Sequence, residues 1–185
     1  MSHVDWLPED GTMRHMFHRW PELAAPLTDY TEKLMRGPSP FTPAERELIA
    51  TITSATNACH FCTGSHRATA EAMGIDGDVV EAIMEDIDNA DIASAMKPIF
   101  AMVKKLTRTP SKIVKRDVDA VFDAGWNEEA FHHAVSICAL FNYYNRILDA
   151  YGIRMEDSYY AEAGQRMAKE GYVAPVSRFM AGKFD

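Results

Sequence analysis

Apolar residues recur at intervals of three and four along most of this chain, which is the spacing of one face of an α-helix. The segment after Pro21 shows the pattern clearly, with Leu23, Leu27, Tyr30 and Leu34 on one face. No segment alternates apolar and polar residues convincingly over the length of a β-strand. The pattern therefore predicts an all-α fold of seven or eight helices.

Glycine, proline and capping residues divide this pattern into separate helices. We expect one short helix in the arm 1–20, a helix capped by Asp76 or Asp78, and longer helices at about 21–35, 43–56, 59–74, 92–106, 115–124, 128–151 and 157–169. Pro98 either kinks the predicted helix 92–106 or marks its true first turn. The tail 171–185 has no clear period, and its Phe179, Met180 and Phe184 are expected to dock on the core or on a neighbouring subunit.

The stretch 42–74 has the signals of two helices separated by a break. Thr42 is a good N-cap, Pro43 suits the first helical position, and Glu45 completes a capping box. Asn57 is expected to end this helix and to cap the next, which would place Cys59 in the first turn of the new helix.

Four residues of this stretch point to thiol chemistry, namely Glu47, Cys59, Cys62 and His66. Cys59 and Cys62 are one helical turn apart, and His66 follows Cys62 at i+4 on the same face. A thiol in the first turn of a helix faces unpaired N–H groups that favour the thiolate, so the pKa of Cys62 is expected to be low. His66 can take the proton, and Glu47 can orient His66 from the preceding helix, as in other activated nucleophiles.

Composition and charge narrow the function further. The net charge is −8 and no basic run exceeds two residues, which argues against nucleic-acid binding. No stretch approaches the ~20 apolar residues of a membrane span, and the N-terminus lacks the features of a signal peptide. We therefore expect no membrane association and a cytoplasmic location, where a CxxC pair is more often catalytic or metal-binding than structural.

The order Glu47, Cys59-x-x-Cys62, x-x-x-His66 resembles the alkyl hydroperoxidase D-like and carboxymuconolactone decarboxylase superfamily, and its peroxidase-related branch most closely. The downstream stretch LTRTPSKIVKRDVDAVFDAGWNEEAFHHAVSICALFNYYNRILDAYGI is similar to the other typical segment of that branch. The two core segments, 42–74 and 106–153, would belong to a single domain that spans residues 1–185.

The resemblance implies an AhpD-like helical bundle that assembles as a homodimer, trimer or hexamer. It also implies a thiol-dependent peroxidase-like oxidoreductase, with a peroxide as substrate and an external dithiol or protein as reductant. In this scheme Cys62 attacks the peroxide, Cys59 resolves the sulfenic acid, and His66 and Glu47 relay protons. No cofactor and no metal ion is required, and the decarboxylase branch, which lacks the CxxC pair, is disfavoured.

One departure from the family pattern keeps other hypotheses open. The better-known peroxidases carry a relay histidine immediately before the second cysteine, where this chain has Phe61. The nearby His60 is rotated by ~100° on a helix and is not expected to replace it. The alternatives are a redox-sensing or metal-binding CxxC module without efficient turnover, with His60 or His66 as further ligands, or a structural oligomer with buried thiols.

Three residues of the long predicted helix 128–151 also need an explanation. Cys138 lies in the apolar run SICALF and is expected to be a small buried residue. Asn142 and Arg146 lie four apart among apolar neighbours, and burying them unpaired would cost several kcal/mol. We expect them to pair with carbonyl groups or with Asp149, and the alternative is that they border the thiol pocket.

Overall fold

Nine α-helices and one short 3₁₀ helix form the regular structure of residues 2–173, the part of the chain that this computed structural model describes. The α-helices are α1 (Met13–Arg19), α2 (Pro21–Arg36), α3 (Pro43–Thr56), α4 (His60–Ala72), α5 (Gly77–Glu85), α6 (Met96–Arg108), α7 (Lys115–Asp123), α8 (Glu128–Ala150) and α9 (Asp157–Glu170). The 3₁₀ helix Pro110–Lys112 connects α6 to α7. The all-α prediction is confirmed, and the nine α-helices correspond to the nine segments marked out from the sequence, one more than the total of seven or eight given there.

Predicted capping residues delimit several of these helices. Thr42 accepts a hydrogen bond from the backbone N–H of Glu45, and the Glu45 carboxylate accepts one from the N–H of Thr42 in return. The side chains of Asp76 and Asn127 cap α5 and α8 by accepting a hydrogen bond from the backbone N–H of Asp78 and Ala130, respectively. Gly74 follows α4 with a φ of 96°, a left-handed conformation that glycine adopts without steric cost.

Two boundaries differ from the prediction. Helix α6 begins at Met96 rather than near Ile92, so Pro98 lies in its first turn, where the missing N–H breaks no helical bond. Cys59 is the N-cap of α4 rather than a residue of its first turn. The reason is that Ala58 adopts a φ of 58°, a left-handed residue that delays the start of α4 until His60.

Helix α3 is the centre of the bundle, and nine consecutive residues from Arg46 to Ser54 are buried. It packs against α4, α6 and α8, while α9 covers the other face of α4. At Gly164 this contact is so close that a Cβ atom would lie 2.6 Å from the backbone of Ala68. The central position of α3 explains how a charged residue in its middle can be fully buried.

The arm before α1 folds back over the end of α8. The backbone N–H of His3 donates to the carbonyl of Tyr151, and Trp6 packs edge-on against Trp20 at 5.1 Å and against Tyr151 at 5.6 Å. Leu7 is buried in the same small cluster as the CxxC pair. The arm therefore forms part of the cover over the thiols.

Two expectations concern the chain beyond the residues that the structure describes. The predicted docking residues Phe179, Met180 and Phe184 lie outside the described residues, and a single domain over 1–185 stays a prediction. Across residues 2–173, no helix combines the length and the apolar character that crossing a membrane demands.

Candidate active site

The break between α3 and α4 brings the two cysteines together. Cys59 caps α4 and Cys62 lies in its first turn, so the two sulfurs approach to 2.8 Å in the reduced form. The side chains are 0% and 2% exposed, respectively. The pair is therefore close enough to share a proton and to form a disulfide with little movement.

The expected low pKa of Cys62 is not what this environment produces. The hydrogen bond with Cys59, followed by burial and by the charge that Cys59 can carry, raises the pKa of Cys62 well above its ordinary value. A hydrogen bond from Asn145 opposes this shift but does not reverse it. The expectation of a resting Cys62 thiolate was wrong, because the neighbouring thiol and the dry surroundings outweigh the N-terminus of α4.

A deprotonated Cys62 therefore needs a base, and His66 lies one turn further along α4 on the same face. Its Nδ1 is 2.7 Å from Oε2 of Glu47, which reaches across from α3. Because a carboxylate can only accept, Nδ1 carries the hydrogen in the neutral ring and donates it to Glu47. The other ring nitrogen, Nε2, is then the one that can accept a proton.

Glu47 is the most enclosed charge of the site, with a side chain that is 0% exposed. Besides His66, the guanidinium of Arg36 donates to its Oε1 at 2.7 Å and the Tyr172 hydroxyl donates to the same oxygen at 2.8 Å. Burial alone raises the pKa of Glu47, but the bonds and charges of these partners outweigh burial and lower it. Glu47 is therefore an anion that holds His66 in one tautomer.

Arg36 and Tyr172 were not found by sequence analysis. Arg36 ends α2 and lies 5.0 Å over the ring of Tyr172, which follows α9 near the end of the described residues. The N–H of Tyr172 donates to Glu32 at 2.6 Å, which ties this segment to α2. Tyr172 lies 125 positions after Glu47, and no local pattern links them, so the network becomes visible only in the fold.

A cavity of about 90 Å³ opens on the reactive side of this network. Cys62, Ser65 and His66 all line it from α4, whereas Cys59 does not. Most of the remaining wall is apolar, and it includes Met13, Phe17, Phe61, Phe141, Leu148 and Met167. A molecule in the cavity would therefore contact the Cys62 sulfur and the His66 imidazole, but not the Cys59 sulfur.

The polar residues of α8 support the pair from the other side. The amide of Asn57 donates to the carbonyl oxygens of Asn145 at 2.7 Å and Asn142 at 3.1 Å, and Asn145 donates to Ser54 at 3.0 Å. Since Asn145 also bonds to Cys62, this network fixes the helix break next to the thiol. Asn145 is a third residue that sequence analysis missed.

The other residues discussed from sequence have mainly structural positions. His60 is exposed, while Phe61 is buried against the rings of Tyr159 and Tyr160. Asn142 and Arg146 bond to the carbonyl groups of Cys138 and Asn142, respectively, as predicted, and neither lines the cavity.

Cys138 is buried, as predicted, and contacts the Thr107 hydroxyl at 3.3 Å. Burial is also the main cause that raises the pKa of Cys138. This thiol lies outside the cavity, so it is a suitable control for the CxxC pair.

A metal-binding version of the site has little geometric support. Between residues 2 and 173, no three His, Cys, Asp or Glu side chains are grouped closely enough to hold a metal ion. A zinc site normally takes four ligands, and the ring nitrogen Nδ1 of His66 is already engaged by Glu47.

Fold and site together define an all-helical protein with a buried CxxC pair beside a carboxylate–imidazole pair. Residues 21–102, which include Glu47, Cys59, Cys62 and His66, match the model of the carboxymuconolactone decarboxylase family. This match covers 82 of the 185 residues, and over that stretch the chain is similar to the family. No curated protein sequence matches the chain significantly.

Two solved structures have the same fold. A peroxidase-related protein from Silicibacter sp. TM1040 superposes with a TM-score of 0.73 at 22% identity, covering 80% of this chain and 77% of the other. A peroxidase-related protein from Ralstonia eutropha JMP134, described as an alkylhydroperoxidase AhpD core, also gives 0.73, at 23% identity, with 81% and 78% covered. At this level of identity the likeness establishes the fold alone.

Proposed function

We propose that this protein is a thiol-dependent peroxidase-like oxidoreductase in which the CxxC pair reduces hydrogen peroxide or organic hydroperoxides. The observation that carries the proposal is the asymmetry of the pair, since Cys62 lines the cavity with His66 and Cys59 does not. A peroxide that enters this cavity meets a single sulfur with a base beside it. That asymmetry supports Cys62 as the nucleophile and Cys59 as the resolving thiol.

The proposed cycle has three balanced steps. The Cys62 thiolate attacks the terminal oxygen of ROOH, the O–O bond breaks, Cys62 becomes a sulfenic acid, and RO⁻ leaves. The Cys59 thiol then condenses with the sulfenic acid, which forms the Cys59–Cys62 disulfide and releases water. An external dithiol reduces the disulfide by exchange and is itself oxidised to a disulfide.

Proton transfer is the task of His66 and Glu47 in this proposal. His66 accepts the Cys62 proton at Nε2, directly or through one water, and the resulting imidazolium is stabilised by the buried Glu47 carboxylate. The imidazolium then protonates RO⁻ and returns to its neutral form. The raised pKa of Cys62 makes this base necessary, because little thiolate exists without it.

The partners follow from the same chemistry. A compact dithiol or an exposed protein cysteine pair is the expected reductant, and a cytoplasmic location, where such reductants are abundant, is part of the proposal. Self-association into a dimer, trimer or hexamer is also proposed. Its support is the exposure of large apolar side chains on α2 and α8, including Leu23, Tyr30 and Tyr143.

Turnover of hydrogen peroxide and of tert-butyl hydroperoxide with dithiothreitol tests the proposal. Cys62→Ser and Cys59→Ser should each abolish turnover, whereas Cys138→Ser, which alters a buried thiol outside the cavity, should retain it. In a single turnover, Cys59→Ser should stop at a Cys62 sulfenic acid that dimedone traps. Full activity in either CxxC variant would contradict the two-cysteine cycle.

A redox sensor without efficient turnover is the second candidate, and the burial of both sulfurs favours it. Phe61, in place of a relay histidine, closes the site further. A sensor would form the disulfide once with peroxide and be reduced slowly by dithiols. Mass spectrometry of the treated protein would then show complete loss of two hydrogens while the steady-state rate stays at the uncatalysed level.

A further inference from the structure

Two arginines line the apolar cavity in addition to the thiol and the imidazole. Arg14 projects from α1 and Arg166 from α9, and both side chains are partly exposed while Cys62 is buried. Neither guanidinium forms an ion pair or a hydrogen bond with another group of residues 2–173, and the buried Nε of Arg166 has no partner there. The solvent side of the cavity thus has two cationic groups that form no ion pair with the described residues.

The electrostatics of Arg14 are consistent with a missing anion. Burial and the positive charge of Arg166 lower the pKa of Arg14, and the attraction of Tyr159, Glu170 and Glu162 does not compensate for them. Two like charges at one cavity are unfavourable unless a third group of opposite charge binds between them. Arginine is also the side chain best suited to hold a carboxylate through paired N–H donors.

A third polar group without a partner lies deeper in the same cavity. Ser65 is 5% exposed, and its hydroxyl oxygen has no hydrogen-bond partner among the described residues. It follows Cys62 by three positions on α4, so the hydroxyl and the sulfur lie on adjacent parts of one face. Burying a hydroxyl without a hydrogen-bond partner lowers the stability of the fold. This indicates that an atom of a bound ligand forms the missing hydrogen bond with Ser65.

We infer that the substrate is a compact organic hydroperoxide that carries a carboxylate or a similar acidic group. Arg14 and Arg166 bind the acidic group, the apolar wall packs on the carbon body, and Ser65 donates a hydrogen bond to the peroxide oxygen that leaves. A cavity of about 90 Å³ limits the enclosed body to a few carbon atoms, given that about 150 Å³ accommodates a benzene ring. This inference rests on the proposed peroxidase function and names its substrate class.

The test uses a matched pair of substrates, 4-hydroperoxy-4-methylpentanoic acid and its primary amide. The two have nearly the same size and shape but differ in charge, so the ratio of their kcat/KM values reports recognition of the acid. Wild-type protein should prefer the acid by about tenfold or more, which corresponds to one charge-assisted hydrogen bond. A ratio near one would overturn the inference, even if both compounds are turned over.

Three variants test whether Arg14 and Arg166 bind the acidic group of the substrate. Arg14→Met and Arg166→Met should each reduce the preference for the acid, and Arg166→Lys should retain part of it. Arg19→Met is the matched control on α1, because Arg19 stacks on Trp6 outside the cavity, and it should keep the full preference. Equal ratios in wild type, Arg14→Met and Arg166→Met would contradict the assignment of the arginines.

A binding measurement separates this inference from the proposed function. The carboxylate 4,4-dimethylpentanoate, which carries a methyl group in place of the hydroperoxide, should bind Cys62→Ser protein in calorimetry and should bind Arg166→Met/Cys62→Ser protein at least tenfold more weakly. Arginine-dependent binding without turnover of any peroxide would refute the peroxidase and leave an anion site. Turnover without binding or acid preference would refute the anion site and leave the peroxidase.

Discussion

Replacing Glu47 with glutamine tests the buried network at its centre. The substitution keeps the size of the side chain but removes a charge that accepts from His66 and Arg36 at 2.7 Å and from Tyr172 at 2.8 Å. The NH₂ group of glutamine would also face one of these three hydrogen-bond donors, to which it cannot bond. Because one partner of a buried ion pair is lost, the expected destabilisation is about 3–5 kcal/mol.

This magnitude is a large part of the total stability of a domain, which is about 5–15 kcal/mol. Urea unfolding followed by circular dichroism measures it at pH 7, with the m-value checked for constancy. Glu45→Gln is the matched control on the same helix, since Glu45 is partly exposed and glutamine also serves in a capping box. The control should change the free energy of unfolding by less than about 1 kcal/mol.

The pH dependence gives a second, independent check. The pKa of Glu47 is lowered in the folded state, so its contribution is complete above the ordinary value of 4.5 and is lost as the pH falls through the lower folded pKa. The difference between wild type and Glu47→Gln should therefore shrink below about pH 4.5. A difference under about 1 kcal/mol at pH 7, or one that persists unchanged to pH 3, would refute the argument.

Three further changes give measurable outcomes. Tyr172→Phe removes one hydroxyl donor to the buried carboxylate, and it should lower the free energy of unfolding in urea by about 1–2 kcal/mol. Gly164→Ala places a Cβ atom 2.6 Å from the backbone of Ala68, and it should cost about 1–3 kcal/mol in the same assay. Cys59→Ala removes the largest cause of the raised pKa of Cys62, so the ultraviolet thiolate absorbance should appear at lower pH than it does for Cys62 in the reduced wild type.

Much of the fold was predictable because its signals are local. Capping residues such as Thr42, Asp76 and Asn127 act within one turn, so their effect can be inferred without knowing the tertiary structure. The pairing of Cys59 with Cys62 and the shared face of Cys62 and His66 follow from helix geometry alone. The start of α4 was misjudged by one residue because a left-handed alanine has no sequence signature.

The remaining parts of the site depend on contacts between distant segments. Arg36, Tyr172 and Arg166 reach the site from α2, from the segment after α9 and from α9, and nothing in their local sequence indicates this. The pKa of Cys62 was misjudged for a related reason. The largest cause of the raised pKa, the hydrogen bond with Cys59, is local, but the burial that adds to it comes from the packing of neighbouring segments, including the N-terminal arm.

The raised pKa of Cys62 and the buried Glu47–His66 pair explain each other, because a neutral thiol needs a base and this pair provides one. A thiol that is neutral at rest is protected from adventitious oxidation, because the thiolate is the reactive form. The same thiol is useless for catalysis unless a base is held ready, and Glu47 fixes the tautomer of His66 that can act as that base. Arg36 and Tyr172 then have a specific purpose, since without their donors the carboxylate would be too costly to bury. The network far from the sulfur is therefore as necessary to the proposed chemistry as the CxxC pair itself.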